Sequence, residues 1–485
     1  MMKDFRKILL YLLMLAVQAA WAGTAEKTIV VLSDPHVMAP SLLVSEGKAW
    51  TNYLAGQRKL VDYSQPLFDM MITKIKDDIR PDLVLITGDL TKDGEQVSHE
   101  YVIGKLDELR TAGIQTLVIP GNHDRSKNSN AVYYDGDKTT PADVATNDWF
   151  ATHYADYGYG LGSERETTTL TYANEPILGL VVIGIDSGTK GVVSETTLNW
   201  VVEQATAARA NGKRVIAMMH HPLISHFVGL ENFVETAVVG NYETVRNALA
   251  DAGVNVVFTG HFHTSDIAKD WNADLSEEIY DVNTGSLISF PCDYRLVTLR
   301  AGLSELEITT GHIPELTSGD GFAETAKARL NKSMQNKISA KGRAYALVAP
   351  LAADAFIIHA EGNEPDNENT ADVLSGLEMA AILGAQLIGA EKAEALKNMA
   401  YSMLQDKSQY GVTERENVTN DLTLRIKLPE IPTAIKTLKT QPSTQQHVFY
   451  NLQGMQVAHP TEGFYIQDRR ILHPARQHNK PIPTL

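Results

Sequence analysis

Ile114-Gln115-Thr116-Leu117-Val118-Ile119-Pro120-Gly121-Asn122-His123-Asp124 reads in two halves. The first is a short run of aliphatic and β-branched residues, the composition of a buried strand. The second is a polar turn carrying an amide, an imidazole and a carboxylate. The same construction recurs along the chain. Thr28–Ser33 leads into Asp34-Pro35-His36, and Asp82–Thr87 into Gly88-Asp89. Arg214–Met219 leads into His220-His221-Pro222, and Val254–Thr259 into Gly260-His261-Phe262-His263. Gly179–Asp186 is a further run of this kind. Helical patterns lie between several of them: Gln65–Ile79, Glu100–Ala112, Ser194–Asn211 and Tyr242–Ala252. Alternating strands and helices predict an α/β domain. In such folds reactive side chains gather at the carboxyl ends of strands, where loops present them without disturbing the sheet.

Together the motifs supply hard oxygen and borderline nitrogen donors enough for two divalent ions. A two-metal centre points to in-line displacement at phosphorus. Asp34 and His36, two residues apart in an extended segment, are expected to face one ion. Gly88 permits a tight turn that lets Asp89 bridge two ions. Asn122 offers a neutral oxygen. His123 is placed to protonate a leaving group, with Asp124 expected to hydrogen-bond its imidazole. Neighbouring residues on a strand face opposite ways, so one of His220 and His221 is expected to bind metal and the other to stand behind it. His261 and His263 can reach one centre, each taking a different ion. Asp-x-His or Gly-Asp alone is common by chance; Gly-Asn-His-Asp, and the ordered set, are specific.

That ordered set resembles the calcineurin-like metallophosphoesterases across residues 26–310, about 60% of the chain. The resemblance implies a four-layer α/β/β/α sandwich and a phosphoric ester hydrolase, a phosphomonoesterase or phosphodiesterase, that uses a hydroxide activated by two metals. It implies that Asp34, His36 and His263 hold the first ion. Asn122, His220 and His261 hold the second, with Asp89 bridging; His220 is preferred because the family's ligand lies two residues before the proline. His123 becomes the acid and Asp124 its partner. Purple acid phosphatases carry glycine where this chain has His36, and tyrosine where it has Lys92. A ferric purple centre is therefore not expected; two divalent ions (manganese, zinc or iron) are. Gly88–Gly94 is similar to the cyclic-nucleotide phosphodiesterase branch. The rival reading is a surface-displayed binding protein with a vestigial site.

The chain has 485 residues, is 44% hydrophobic and carries a net charge of −16. That length suits two or three domains. The acidic excess argues against nucleic acid as a partner, since phosphate backbones want a basic face; a small phosphate ester is expected instead. Lys3, Arg6 and Lys7, an apolar stretch from Ile8 to Ala19 and Ala20-Trp21-Ala22 form a signal peptide, residues 1–22. Its removal, with three basic residues and one acidic, takes the net charge to −18. No transmembrane segment is expected after cleavage. Cys292 is the lone cysteine, so no internal disulfide forms; an exported protein without disulfides suits a Gram-negative periplasm, cell surface or extracellular medium.

Residues 23–312 are expected to form the phosphoesterase domain, 313–430 a helical region, and 431–485 a linker and small β-rich tail. Phe322–Ser339 and Asp372–Leu404 have helical periodicity, with Glu361–Asn369 a polar loop. His359 is read as a satisfied structural histidine. The polar insert 125–148 is either a lid or a surface insertion. It, His153 and His226 are where substrate selection is sought. In the tail, Val448–Leu452, Gly463–Ile466 and Arg469–Leu472 read as short strands. Tyr450–Gly454 and Pro460–Ile466 resemble the C-terminal segments of secreted proteins of some Gram-negative anaerobes, which implies possible cell-surface association.

Overall fold

The computed structural model describes residues 26–125, 130–160, 162–230, 236–405 and 421–431, and four short strands between Phe449 and Leu472. The expected signal peptide lies outside the described residues. The first sheet runs, edge to edge, through Thr423–Lys427, Glu305–His312, Asp293–Leu299, Lys27–Leu32, Leu83–Ile86 and Gln115–Val118. The second runs through Asp266–Trp271, Glu278–Asn283, Val256–Thr259, Arg214–Met219, Leu180–Ile185, Tyr172–Ile177 and Ser163–Arg165. The strands that precede the motifs pair in parallel within each sheet, so their carboxyl ends share an edge.

Side-chain alternation shows how the layers stack. Along the second sheet Leu180, Val182, Ile216, Met218, Val256 and Phe258 belong to one core with the first sheet. The residues between them, Val181, Ile183, Val215, Ala217 and Val257, pack against Leu198, Val201, Val245 and Leu249 of the helices Glu195–Ala210 and Tyr242–Asp251. Successive strand residues face opposite sides, so this sheet lies between the first sheet and its own helices. Leu67, Phe68, Met71 of Ser64–Thr73 and Val102, Leu106, Leu109 of Gln96–Thr111 join the core on the first sheet. The result is the expected four-layer α/β/β/α sandwich.

The insert 125–148 has structure of its own. Val132–Asp135 and Lys138–Pro141 form an antiparallel hairpin, which adds to Leu43–Ser45 as a three-stranded sheet. Val132 and Tyr134 point inward, and Tyr134 packs against Trp50 and Tyr53. Residues 126–129 lie outside the described part.

Helices follow at Phe322–Ser339, Arg343–Glu361, Thr370–Ile388 and Ala390–Gln405. The run expected as one helix from Asp372 to Leu404 is two, divided at Gly389. Phe322, Ala326, Leu330, Met334 and Ile338 are buried at four-residue spacing, the stripe of a helix laid on a core. The region expected to be helical to residue 430 ends otherwise. Thr423–Lys427 is a strand, antiparallel to Glu305–His312, with Ile426 inward and Thr423, Arg425 and Lys427 exposed. Its two-residue period is what a half-covered edge strand requires. No described helix is long and apolar enough to cross a membrane. Residues 433–485 form a separate compact unit; Phe449–Asn451, Gln456–Val457, Tyr465–Gln467 and Arg470–Leu472 make its small sheet.

Candidate metal centre

The loops after the parallel strands bind one another across the two sheets. The Asp34 N–H donates to the Gly88 carbonyl (3.1 Å), and the His261 N–H to Asp34 Oδ2 (2.9 Å). His220 Nδ1 lies 2.9 Å from the Thr87 carbonyl. A carbonyl only accepts, so Nδ1 carries a hydrogen and Nε2 is the nitrogen turned toward the other donors.

Three donor atoms meet on one side. Asp34 Oδ1 is 3.1 Å from His263 Nε2 and 3.6 Å from His36 Nε2, and the two imidazole nitrogens are 3.4 Å apart. On the other side His220 Nε2 is 3.0 Å from Asn122 Oδ1 and 3.3 Å from His261 Nδ1. Asp89 stands between: its Oδ2 is 3.5 Å from His36 Nε2 and 3.4 Å from His220 Nε2. Ligands about 2.1 Å from a shared ion stand roughly 3.0–3.4 Å apart at octahedral or tetrahedral angles. The spacings here are of that size. Asp34 Oδ1 and His263 Nδ1 are buried without a hydrogen-bond partner. The donor set, imidazoles and carboxylates with one amide, fits divalent transition ions. All seven expected ligands converge.

Their backbones are unusual. Asp34, His36, Asp89, His261 and His263 all have positive φ, between 39° and 69°. Non-glycine residues avoid this region, and such strain of roughly 1 kcal/mol or more per residue gathers where function over-determines geometry. Asp34 and His36 therefore converge through left-handed turns, not through the extended i, i+2 geometry expected. Gly88 (φ 101°) allows the approach of the two sheets, since a Cβ there would fall 2.7 Å from both Gly121 N and His220 Nδ1.

Electrostatics follow from burial. Desolvation favours neutral Asp34, but the His263 and His36 imidazoles hold its carboxyl well below the usual carboxylate range. Asp89 is likewise held down by His220, His123 and His36 against burial. Two cations stand beside them. Lys59 Nζ, buried, is 3.4 Å from His36 Nδ1, and Arg58 interacts with Asp34. Both lie in the loop before Leu60 and were not singled out from sequence, where a lone Arg-Lys pair carries no signal.

His123 adjoins the clusters: its N–H donates to Asp89 Oδ1 (2.7 Å), and its ring meets that of His36 edge-on at 4.9 Å. Its expected partnership with Asp124 is not what forms. His123 Nδ1 faces Asp93 Oδ1 and the Lys92 carbonyl, each at 3.0 Å. Asp124 turns into the protein, where it accepts from the N–H groups of Leu90, Thr91 and Gly121 and from Thr91 Oγ1. A carboxylate one residue after the histidine is carried away by the loop's turn, whereas Asp93 arrives from the adjacent loop. Burial pushes Asp93 up, but the His123 hydrogen bond and Lys92 bring it down to about 2. The expected bystander His221 is buried, with Nδ1 on Ser187 Oγ at 2.8 Å. His153 stacks on Trp149, and His226 pairs with Asp266; neither touches these clusters.

A family described as calcineurin-like phosphoesterase matches residues 27–265. The chain is 27% identical over 244 residues to a protein of Arcobacter nitrofigilis named a probable glycerophosphodiester phosphodiesterase, covering 48% of this chain and 71% of that one. It is 24% identical over 260 residues to a probable cyclic nucleotide phosphodiesterase of Rhodococcus erythropolis, covering 52% and 70%. Among solved structures, a dimetal phosphatase from Danio rerio aligns with a TM-score of 0.42 at 13% identity, covering 59% of this chain and 96% of its own.

Proposed function

Because residues 27–265 belong to the calcineurin-like phosphoesterase family, a family of phosphoric ester hydrolases, we propose that this chain cleaves phosphodiesters at the centre shared by Asp89. The observation that carries the reading is the pair of donor clusters meeting at one carboxylate oxygen. Asp34, His36 and His263 would hold one divalent ion; Asn122, His220 and His261 would hold the other; Asp89 would serve both. Such ions, when bound, lower the pKa of water and take up charge developing on phosphoryl oxygens. Manganese, zinc and iron all suit these donors.

The chain's own groups do the rest. His123, fixed by its N–H on Asp89 and by Asp93 at Nδ1, presents Nε2 for proton transfer to the departing alkoxide. Its side chain is about a quarter exposed, open to a substrate. Lys59 and Arg58 would add positive charge beside the cluster of Asp34, His36 and His263. Diester preference is supported by the two relatives' names, both phosphodiesterases. Complete ligand clusters weigh against a vestigial binding site.

Protein reconstituted with manganese or zinc is expected to hydrolyse bis-nitrophenyl phosphate faster than nitrophenyl phosphate. The reverse order would replace the diesterase reading with a monoesterase; no turnover of either would favour the binding-protein reading. Asp89→Ala removes a ligand of both ions, so activity and bound metal are expected to fall together. The export reading rests on the basic, apolar and small-residue segments of residues 1–22. N-terminal sequencing of the native protein is expected to begin at Gly23.

A further inference from the structure

The helix Phe322–Ser339 lies along the segment that leads into Ser64–Thr73. The rings of Tyr63 and Phe322 are 5.5 Å apart, and the Arg329 guanidinium pairs with the Asp62 carboxylate and lies 5.8 Å from the Tyr63 ring. About two turns further along the helix, Lys337 comes within electrostatic reach of Arg58: burial and then Arg58 push its ammonium down. The same segment is tied to the sandwich. The Leu60 N–H donates to the Ile288 carbonyl at 2.7 Å, and the Ser286 hydroxyl donates to the Asp34 carbonyl at 2.8 Å.

Lys337, Arg58 and Lys59 run from solvent toward the metal ligands. Lys337 is exposed, Arg58 half-buried and Lys59 buried, with Nζ 3.4 Å from His36 Nδ1. Among the described residues none of the three has a carboxylate within ion-pair distance. Lys327 and Arg329 of the same helix do, in Glu361 and Asp62.

The contact with His36 does not satisfy Lys59. His36 Nε2 faces Asp34, Asp89 and His263, where an ion would sit. An imidazole that gives one nitrogen to an ion carries its hydrogen on the other. An ammonium has only hydrogens to offer, so Lys59 Nζ and His36 Nδ1 then meet as two donors. Burial pushes the Lys59 ammonium down against the pull of Asp89, and the Arg58 guanidinium down against that of Asp34. Cations taken from water without an acceptor are disfavoured. An anion among them would answer all three. Lys59 reaches the His36 ring at the nitrogen turned away from Asp89, so that anion is offset from the point where the donor clusters meet.

We propose that Arg58, Lys59 and Lys337 form a phosphate subsite beside the cluster of Asp34, His36 and His263, selecting phosphodiesters that carry a second phosphate on one arm. Its role in selection rests on the diesterase reading; its affinity for phosphate does not. Arginine presents a planar fork to phosphate oxygens, and lysine a point charge. A phosphate monoester carries about −1.5 to −2 at neutral pH, a better match to three cations than the single charge of a carboxylate.

Two diesters that differ by one phosphate test the proposal: glycerophosphoinositol and glycerophosphoinositol 4-phosphate. Full-length protein loaded with manganese is expected to favour the second in kcat/KM by about tenfold or more, the scale of one charge-assisted hydrogen bond, with the difference in KM. Arg58→Gln and Lys59→Gln should bring that ratio toward unity, and Lys337→Gln should lower it in part. No preference in the parent, or equal losses on both substrates, would overturn the proposal and leave the hydrolase reading intact. Binding is read without turnover. Metal-free protein dialysed against radiolabelled inorganic phosphate is expected to bind it saturably, and Arg58→Gln to bind it about tenfold more weakly or worse. Equal binding by parent and variant removes the subsite. Should Lys59→Gln fail to fold, Arg58→Gln and the exposed Lys337→Gln carry both measurements. An inactive parent that binds phosphate through these residues would sink the hydrolase reading and leave the subsite standing.

Discussion

Two aspartates near His123 divide the work between chemistry and folding. Asp93 reaches Nδ1 of the imidazole, and Asp124 fastens the loops that carry the ligands. Asp93→Asn keeps the shape but weakens support for an imidazolium. We expect kcat on a diester with a poor alkoxide leaving group to fall about 10–100-fold, within the range of general-acid effects, while bound metal and melting temperature hold. On bis-nitrophenyl phosphate, whose leaving group needs little protonation, the loss should be small; an equal loss on both substrates would reassign Asp93. Asp124→Ala should do the opposite. It strands three backbone donors in a buried loop, at roughly 1–3 kcal/mol each, so thermal unfolding should come earlier and metal binding weaken with it. The candidate ligands were legible in sequence through the ordered motifs and the family resemblance those motifs carry. Asp93 was not, since its contact with His123 is made by two loops that only the fold brings together. The left-handed φ values at five site residues were equally hidden, because aspartate and histidine carry no sequence mark of that conformation.

The strand Asp293–Leu299 begins with a cost. Asp293 is fully buried, and desolvation raises its carboxyl to about 7 in spite of the Ser265 hydroxyl at 2.6 Å. In the unfolded chain the group titrates near 3.8. Below that value both states are protonated and the group is neutral in the balance. Between about 4 and 7 the folded state holds a proton that the unfolded state has released, so stability falls as pH rises through this window. Asp293→Asn keeps an oxygen acceptor for Ser265 and removes the titration. Its melting temperature should exceed the parent's at pH 8, by a stability on the order of 4 kcal/mol, and match it near pH 3.5. A parent and variant that differ equally at both pH values would rule out the titration as cause. Other elements were read well from periodicity: the six apolar runs are strands and the four helical patterns of the sandwich are helices. Arg343–Glu361, a helix with Pro350 inside it, lies within the expected helical region but was not delimited as an element of its own. Thr423–Lys427 was missed for a related reason. A five-residue edge strand with one fully buried side chain becomes recognisable only beside the strand it pairs with.

At the scale of the whole molecule, the helical region and the sandwich share one apolar core. Phe322, Leu330, Met334, Phe356, Ile357, Leu374, Met403 and Leu404 belong to the same buried cluster as Ile29, Val84 and Val182. Thr423–Lys427 then covers the edge that Glu305–His312 would otherwise expose. The composition shift near residue 313 marks a change of architecture, and the two regions expected on either side of it share this core. Removing the helices deletes these eight side chains and exposes the sandwich residues they cover, Tyr63, Phe227 and Phe262 among them, at about 1.5–3 kcal/mol for each large side chain, against a net stability of about 5–15 kcal/mol for a typical domain. An open edge strand adds a template for aggregation. A chain ending at His312 retains every expected metal ligand, yet it should show no cooperative thermal transition and should bind a dye for exposed apolar surface. A chain ending at Ile431 keeps both the helices and the edge strand and should melt cooperatively with its metal content intact. If the shorter chain also melted sharply and hydrolysed bis-nitrophenyl phosphate, the helical region would be an independent appendage.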